Sequence, residues 1–351
     1  MTQNVVSDRL PLLIEDEQTL DDVLTRPTPE LVEAVSRIVG DVAILGVGGK
    51  MGPTLAILLR RAIEEAGTRT QVIGVSRFTR GQLRTQIEEA GVHTISCDLL
   101  DPDQLAILPH AQSVIYMVGM KFGSTEQAEL TWAMNTYLPG MVTRHFAGAR
   151  IVALSTGNVY PLMPVRHGGC RETGLVGPVG EYAQSCLGRE RIFSYWSQKT
   201  ASPLALVRLN YAVELRYGVV LDVARQVYDR QPVDLAMGSF NCIWQGDACS
   251  AIIRALDLAD ICPAIMNLTG PETVSVRRLA ERFGRLFGVE PTFASEEQET
   301  ALLSDASQCH ARFGYPRVPL DQIVEWTAHW VRTGGATLDK PTHFQARDGR
   351  F

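Results

Sequence analysis

Between the short apolar run Asp41-Val42-Ala43-Ile44-Leu45 and the first long helical pattern lies Gly46-Val47-Gly48-Gly49-Lys50-Met51-Gly52. Glycines recur at 46, 49 and 52, a GxxGxxG spacing, with Gly48 between them. The chemistry open to such a cluster is anion binding. Glycine permits a tight turn and lets backbone amides approach a diphosphate, and the helix that follows favours negative charge at its N-terminus. Set between a buried strand and an amphipathic helix, Gly46 to Gly52, with Lys50 and Met51 included, reads as the grip on a dinucleotide cofactor. The next apolar run, 71–75, leads into Ser76 and Arg77, with Arg80 close behind. A carboxylate there would accept from the ribose 2′-hydroxyl of NAD, whereas an arginine pairs with a 2′-phosphate. The expected cofactor is therefore NADP, with NAD as the alternative. After the third run comes Cys97-Asp98-Leu99. Asp98 either accepts from the adenine amino group or caps a short helix that begins near Asp101.

Other reactive types are less ordered. The seven cysteines, at 97, 170, 186, 242, 249, 262 and 309, include no CxxC pair and read as reduced thiols of a cytoplasmic protein. Cys309 and His310 are adjacent but lack partners at metal-ligand spacing, so no metal is expected. Arg166 and His167 stand in a glycine-rich loop and are either substrate contacts or solvated loop residues. The net charge of −6 comes without a basic stripe, which argues against nucleic acid as a partner. No run of 18 apolar residues occurs, and the N-terminus lacks the pattern of a signal peptide, so no membrane partner is expected.

The elements that must position these groups follow from periodicity. Short, largely apolar runs at 41–46, 71–75, 151–155 and 204–209, with further strand candidates at 93–97 and 113–118, alternate with helical patterns such as 51–66 and 81–90. Apolar strands that alternate with helices predict an α/β fold: a Rossmann-type, doubly wound parallel sheet buried on both faces. Beyond residue 210 the texture is mainly helical, at 218–229, 246–260, 274–287 and 320–333. The 351 residues therefore divide into an N-terminal extension (1–38), a dinucleotide-binding domain (39–210), a smaller substrate lobe with segments returning to the sheet (211–340) and a tail (341–351). The extension is either an arm over the domain, with a helix opening at Pro29, or a partly disordered leader.

Taken together, these residues resemble the extended short-chain dehydrogenase/reductases, the epimerase/dehydratase branch. The resemblance rests on the glycine loop, Asp98, Gly119 after the fourth strand and Asn135 in a long helix. It continues through Ser155-Thr156-Gly157-Asn158-Val159-Tyr160, Glu181-Tyr182 to Glu190, Val207 to Asn210 and Ile243 to Ala248. It implies hydride transfer with a nicotinamide cofactor, Tyr182 as acid or base on a substrate hydroxyl, and Thr156 bonded to the same oxygen. It also places Asn158, Asn210 and Arg216 toward a sugar-like small-molecule substrate and implies a homodimer through the helices that carry Asn135 and Tyr182. One departure stands out. The family's lysine, which holds the nicotinamide ribose one turn after the tyrosine, is Cys186 here. A tyrosine titrates near pH 10 unless a cation is close, and a thiol supplies none. Either another cation substitutes, with Lys121 the candidate, or the chain is a dinucleotide-binding regulatory or scaffold protein without turnover. The expected activity is that of an NAD(P)-dependent oxidoreductase or epimerase on a hydroxyl of a sugar or sugar-derived acid.

Overall fold

The structure, a computed structural model, describes residues 9–79 and 81–350. Seven strands form the main sheet: β1 (Val42–Leu45), β2 (Val72–Ser76), β3 (His93–Ser96), β4 (Ser113–Tyr116), β5 (Arg150–Thr156), β6 (Leu204–Leu209) and β7 (Ala264–Leu268). Their order is β3-β2-β1-β4-β5-β6-β7, and every pairing is parallel. Leu45, Val75 and Tyr116 share one register level, so β1, β2 and β4 end together and their following loops meet above the sheet. The strand order reverses between β1 and β4, the place where doubly wound sheets open a ligand crevice. All residues of β1 and β4 are buried, which is why their sequences lack the polar alternation of a one-sided sheet.

Helices α1 (Glu17–Leu24) and α2 (Pro29–Ser36) precede the sheet, and α3 (Gly52–Ala66), α4 (Gly81–Glu89) and α5 (Pro102–Ala106) cross between its first strands. The connection from β4 to β5 is α6 (Ala128–Trp132), a π-helical turn (Ala133–Tyr137) and α7 (Leu138–His145). The long α8 (Gly180–Thr200) leads to β6. Beyond it come α9 (Val219–Tyr228), α10 (Gln245–Arg254), α11 (Val276–Phe287), α12 (Ser307–Phe313) and α13 (Leu320–Arg332). One face of the sheet packs on α3 and α10 through Leu55, Leu59 and Ile252; the other packs on α7 and α8 through Val142 and Phe193. The lobe has its own core, in which Val223, Phe283, Trp244 and Trp326 meet.

In the described part of the N-terminal extension the chain is an arm. Thr28 caps α2 through the amide of Leu31, with Pro29 in the first turn. Leu31 and Val35 enter the sheet-side core, while Leu20 and Leu24 of α1 enter the lobe core, so the arm ties the two together. The helical texture expected after 210 is interrupted by β7. Its sequence, Ala264-Ile-Met-Asn-Leu, carries no strong strand signal, and pairing with β6 decides its state. Asn267 there is fully buried and satisfied: it accepts from the Tyr160 hydroxyl at 2.8 Å and donates to the carbonyls of Cys170 and Asp305 at 2.8 and 2.9 Å. Among the described residues, no helix is long and apolar enough to cross a membrane.

Candidate functional site

The glycine loop leaves β1 with Gly46 at φ +88°, a left-handed conformation that a side chain would oppose. The turn closes with Gly49 N on Gly46 O at 3.0 Å and Gly52 N on Gly49 O at 3.2 Å. A Cβ on Gly52 would stand 2.1 Å from Val47 O, and one on Gly48 would stand 2.4 Å from Ser76 Oγ. Glycine is therefore dictated at 46 by conformation and at 52 by close approach of the Val47 backbone, while a side chain at 48 would displace the Ser76 hydroxyl. The loop forms one wall of a cavity of about 910 Å³. The cavity runs from Arg77 and Asp98 at one end, past Gly46 and Gly48, to Gly119 and Lys121 at the other. Ser76 and Leu99 also line it. Asp98 does not cap α5, because Asp101 does so through the amides of Asp103 and Gln104. Asp98 instead accepts from Leu100 N at 3.1 Å. Arg80 lies outside the described residues.

A second cavity of about 280 Å³ opens beside the first and shares Gly46, Gly49, Lys50 and Lys121 with it. Met51 and Gly52 line this smaller space, as do Thr156 and Asn158 at the end of β5, Tyr182 on the first turn of α8, and Asn210 after β6. The Tyr182 hydroxyl is hydrogen-bonded to Thr156 and Cys186. Thr156 donates to Asn158 Oδ1 at 3.0 Å and accepts from the Asn158 amide at 3.2 Å. Asn210 donates to Asn241 Oδ1 at 2.7 Å and to Leu302 O at 3.3 Å, which fixes it in the cavity wall. Burial raises the Tyr182 phenol above its usual range, and the Cys186 thiol adds to this, while Arg189 and the Thr156 hydrogen bond work against it. Tyr182 is thus a protonated phenol at neutral pH in this state.

Cys186 lines neither cavity. It is fully buried in an apolar cluster with Val159, Tyr160 and Cys170, bonded to the Tyr182 hydroxyl, and burial raises its thiol pKa, so it is a thiol and supplies no charge. Cations come from elsewhere. Lys121 Nζ lies 6.0 Å from the centroid of the Tyr182 ring, and burial pulls its pKa down to about 8. Lys50 Nζ lies 3.7 Å from the Tyr217 ring centroid and donates to Ala212 O at 3.0 Å. Its pKa falls to about 7, chiefly through burial, with Glu214 opposing the shift. The third cation, Arg189, escaped the reading of the sequence. It donates to Asn135 Oδ1 at 2.7 Å, Asn135 O at 3.3 Å and Leu154 O at 2.8 Å, directly beneath the site. A Cβ on Gly119 would meet its Nη2 at 2.7 Å. Its signal was spacing: Tyr182, Cys186, Arg189 and Phe193 fall at i, i+4, i+7 and i+11 on one helix face, so a charge there is buried. Asn135 sits in the π-helical turn, an irregularity often found at functional sites.

Arg166 and His167 take the solvated-loop alternative, and Arg216 departs from its expected place. Arg166 and His167 are exposed and line neither cavity. They follow the strand Met163–Pro164, whose pairing with Thr300–Ala301 turns them to the surface. Arg216 lines the larger cavity, not the smaller one, because Glu214 at 3.1 Å and Asp21 of α1 at 2.8 Å hold its guanidinium toward the arm. No group of His, Cys, Asp and Glu among the described residues is placed to hold a metal.

A doubly wound sheet with a glycine-lined crevice at its switch point defines a Rossmann-type dinucleotide-binding fold. No family model and no curated protein sequence matches the chain. Solved structures do. A UDP-glucose 4-epimerase from Thermotoga maritima, solved with UDP-glucose, superposes at a TM-score of 0.68 with 15% identity, over 84% of this chain and 99% of its own. A UDP-glucuronic acid 4-epimerase from Bacillus cereus in complex with NAD gives 0.69 and 16%, over 83% and 98%. The Thermus thermophilus UDP-glucose 4-epimerase complex with NAD gives 0.67 and 19%, over 83% and 99%. The resemblance to extended short-chain dehydrogenase/reductases read from the motifs thus holds for the fold.

Proposed function

We propose that the chain is an NAD(P)-dependent oxidoreductase or epimerase acting on a hydroxyl of a sugar or sugar-derived acid. The observation that carries this reading is the meeting of Thr156 and Tyr182 in a small cavity that opens onto the glycine-lined crevice. The crevice fits a dinucleotide: Gly46, Gly48 and Gly49 line it without side chains, and Arg77 stands at the adenosine end. When bound, the nicotinamide supplies or accepts hydride. The residues of the chain do the rest. Tyr182 Oη holds the proton that passes to or from the substrate oxygen. Thr156 hydrogen-bonds that oxygen and sets its orientation, and Asn158 fixes the Thr156 rotamer. We assign to Lys121, whose Nζ lies 6.0 Å from the Tyr182 ring centroid, the role that Cys186 cannot fill, while the charge that opposes the raised Tyr182 pKa is that of Arg189. The structural neighbours solved with NAD or UDP-sugars are consistent with this reading.

Tyr182→Phe is expected to abolish cofactor-linked turnover while leaving cofactor affinity nearly unchanged. The substrate for this assay comes from thermal-shift screening of sugars and sugar acids with cofactor present. Full turnover in the mutant removes Tyr182 from the mechanism, whereas cofactor binding without turnover of any screened substrate by the wild-type chain leaves the non-catalytic binder. For the cofactor, Arg77 favours NADP, because a guanidinium pairs with a 2′-phosphate. Calorimetry is expected to show NADPH binding tighter than NADH, with Arg77→Ala erasing the difference; an unchanged preference removes Arg77 from the argument. The seven cysteines, none of them in a disulfide, suit a cytoplasmic protein, and we assign a homodimer through α6 and α8.

A further inference from the structure

Among the described residues beyond α13 the chain enters no sheet or helix, yet residues 338–350 are fastened along their length. Leu338 N donates to Arg216 O at 3.0 Å. Thr342 gives both its amide and its hydroxyl to Asp222 on the first turn of α9, at 2.9 and 2.6 Å. The His343 ring lies 6.3 Å from that of Phe122, next to Lys121, and Phe344 is buried 6.3 Å from Phe240. Arg347 clamps the lobe: Nη1 donates to the carbonyls of Ala236 and Thr300 at 3.0 and 2.7 Å, and Nη2 to Thr300 Oγ1 at 2.6 Å. The strap ends against the start of α8, two residues before Tyr182. There Gly180 and Gly349, at φ +81° and +75°, meet backbone to backbone, and a Cβ on Gly180 would stand 2.5 Å from Gly349 O. No side chain fits that crossing.

The strap is a wall of both cavities. Leu338 and Lys340 line the larger, and Thr342 lines the smaller. What remains beside Thr156 and Tyr182 is about 280 Å³, below the roughly 300–1,000 Å³ of ordinary ligand pockets. One sugar ring fits such a space; a sugar joined to a nucleoside diphosphate does not. The lining is equally one-sided in charge, with Glu214 and Asp222 acting on Lys50 from outside it. Lys50 and Lys121 face the small cavity, and no carboxylate lines it among the described residues. We propose that the C-terminal strap limits the substrate to a free sugar acid of one ring or its open chain, and excludes nucleotide-linked sugars. The carboxylate would lie toward Lys50 and Lys121, with a hydroxyl on Tyr182.

The proposal rests on the dinucleotide reading, so calorimetry first measures NAD and NADP binding to the full chain; a chain that binds neither sinks both. With cofactor bound, the probes are D-glucuronate, D-galacturonate and D-gluconate against UDP-glucuronate. The full chain is expected to bind at least one free acid and no UDP-glucuronate. A chain ending at Thr337 is expected to gain UDP-glucuronate binding by about tenfold or more, as a wall is removed. If that chain does not fold, the full-length variant Phe344→Ala with Arg347→Ala, whose strap is loosened, is expected to show the same gain. Binding of UDP-glucuronate by the full chain, or no gain in the folded variant, overturns the wall while leaving cofactor binding intact. Failure of all three free acids overturns the acid assignment.

Discussion

Lys50 and Lys121 are the two ammonium groups that both cavities share, and burial lowers each. For Lys50 the consequence for stability has a definite sign. In the unfolded chain its ammonium titrates near 10.5, and in the folded protein near 7. Between these values the unfolded chain holds more protons, so stability rises with pH across this window, and below it the cost of burying the charge is fully present. Lys50→Met is therefore expected to stabilise the protein at about pH 6. It should also remove a slope of up to about 1.4 kcal/mol per pH unit between about pH 7 and 10. Urea unfolding of both proteins at several pH values checks this; parallel pH profiles would show that Lys50 is solvated in the folded state. Glycine sterics made this loop readable from the sequence. The lysine's environment was not readable, because Ala212 and Tyr217, which cover it, are more than 150 residues away.

At the scale of elements, α8 is the piece that joins chemistry to scaffold. Tyr182 faces the cavity from its first turn, and further along Glu190 forms a buried ion pair with Arg208 of β6 at 2.7 Å. Glu190 Oε1 also accepts from Ser155 Oγ at 2.5 Å, and Arg208 Nη1 donates to Tyr160 Oη at 2.7 Å. The helix is thus pinned to β5 and β6 just beneath Thr156. Loss of one partner strands a buried charge. Arg208→Ala is expected to cost about 3–5 kcal/mol in urea unfolding, and Glu190→Leu with Arg208→Met much less than either single change. A loss under about 1 kcal/mol for Arg208→Ala would mean that water satisfies Glu190. Most of the main strands and the longer helices were legible as apolar runs and 3.6-residue patterns. β7 was not, since a five-residue segment with a buried asparagine takes its state from the neighbouring strand. The short α1 was also missed, because its two-turn apolar stripe has meaning only against the lobe that receives it.

At the scale of the molecule, the arm, the sheet, the lobe and the strap all contribute to the cavity walls, and a group of apolar side chains stays exposed on the helices between β4 and β6. Leu130 and Trp132 of α6, Tyr137 of the π-helical turn and Tyr195 of α8 are exposed on adjoining helices, with Tyr137 63% and Tyr195 54% accessible. Large exposed aromatics on neighbouring elements mark an association surface. The protein is expected to sediment as a dimer, and Tyr137→Glu with Tyr195→Glu to sediment as a monomer that still binds cofactor. A wild-type monomer, or a dimer unaffected by the two changes, places the interface elsewhere.

The sequence by itself determined the glycine turn, the buried parallel strands and the Thr156–Tyr182 pairing implied by the family motifs. The first two rest on sterics or periodicity among near neighbours in the chain, and the third rests on the resemblance alone. Only the tertiary structure decided which cations stand near Tyr182, that Cys186 lies in an apolar cluster and lines neither cavity, that Arg216 turns to the arm, and that the tail lines both cavities. These depend on packing between segments as much as 200 residues apart, and a local pattern carries no information about which distant side chain will fill a given space.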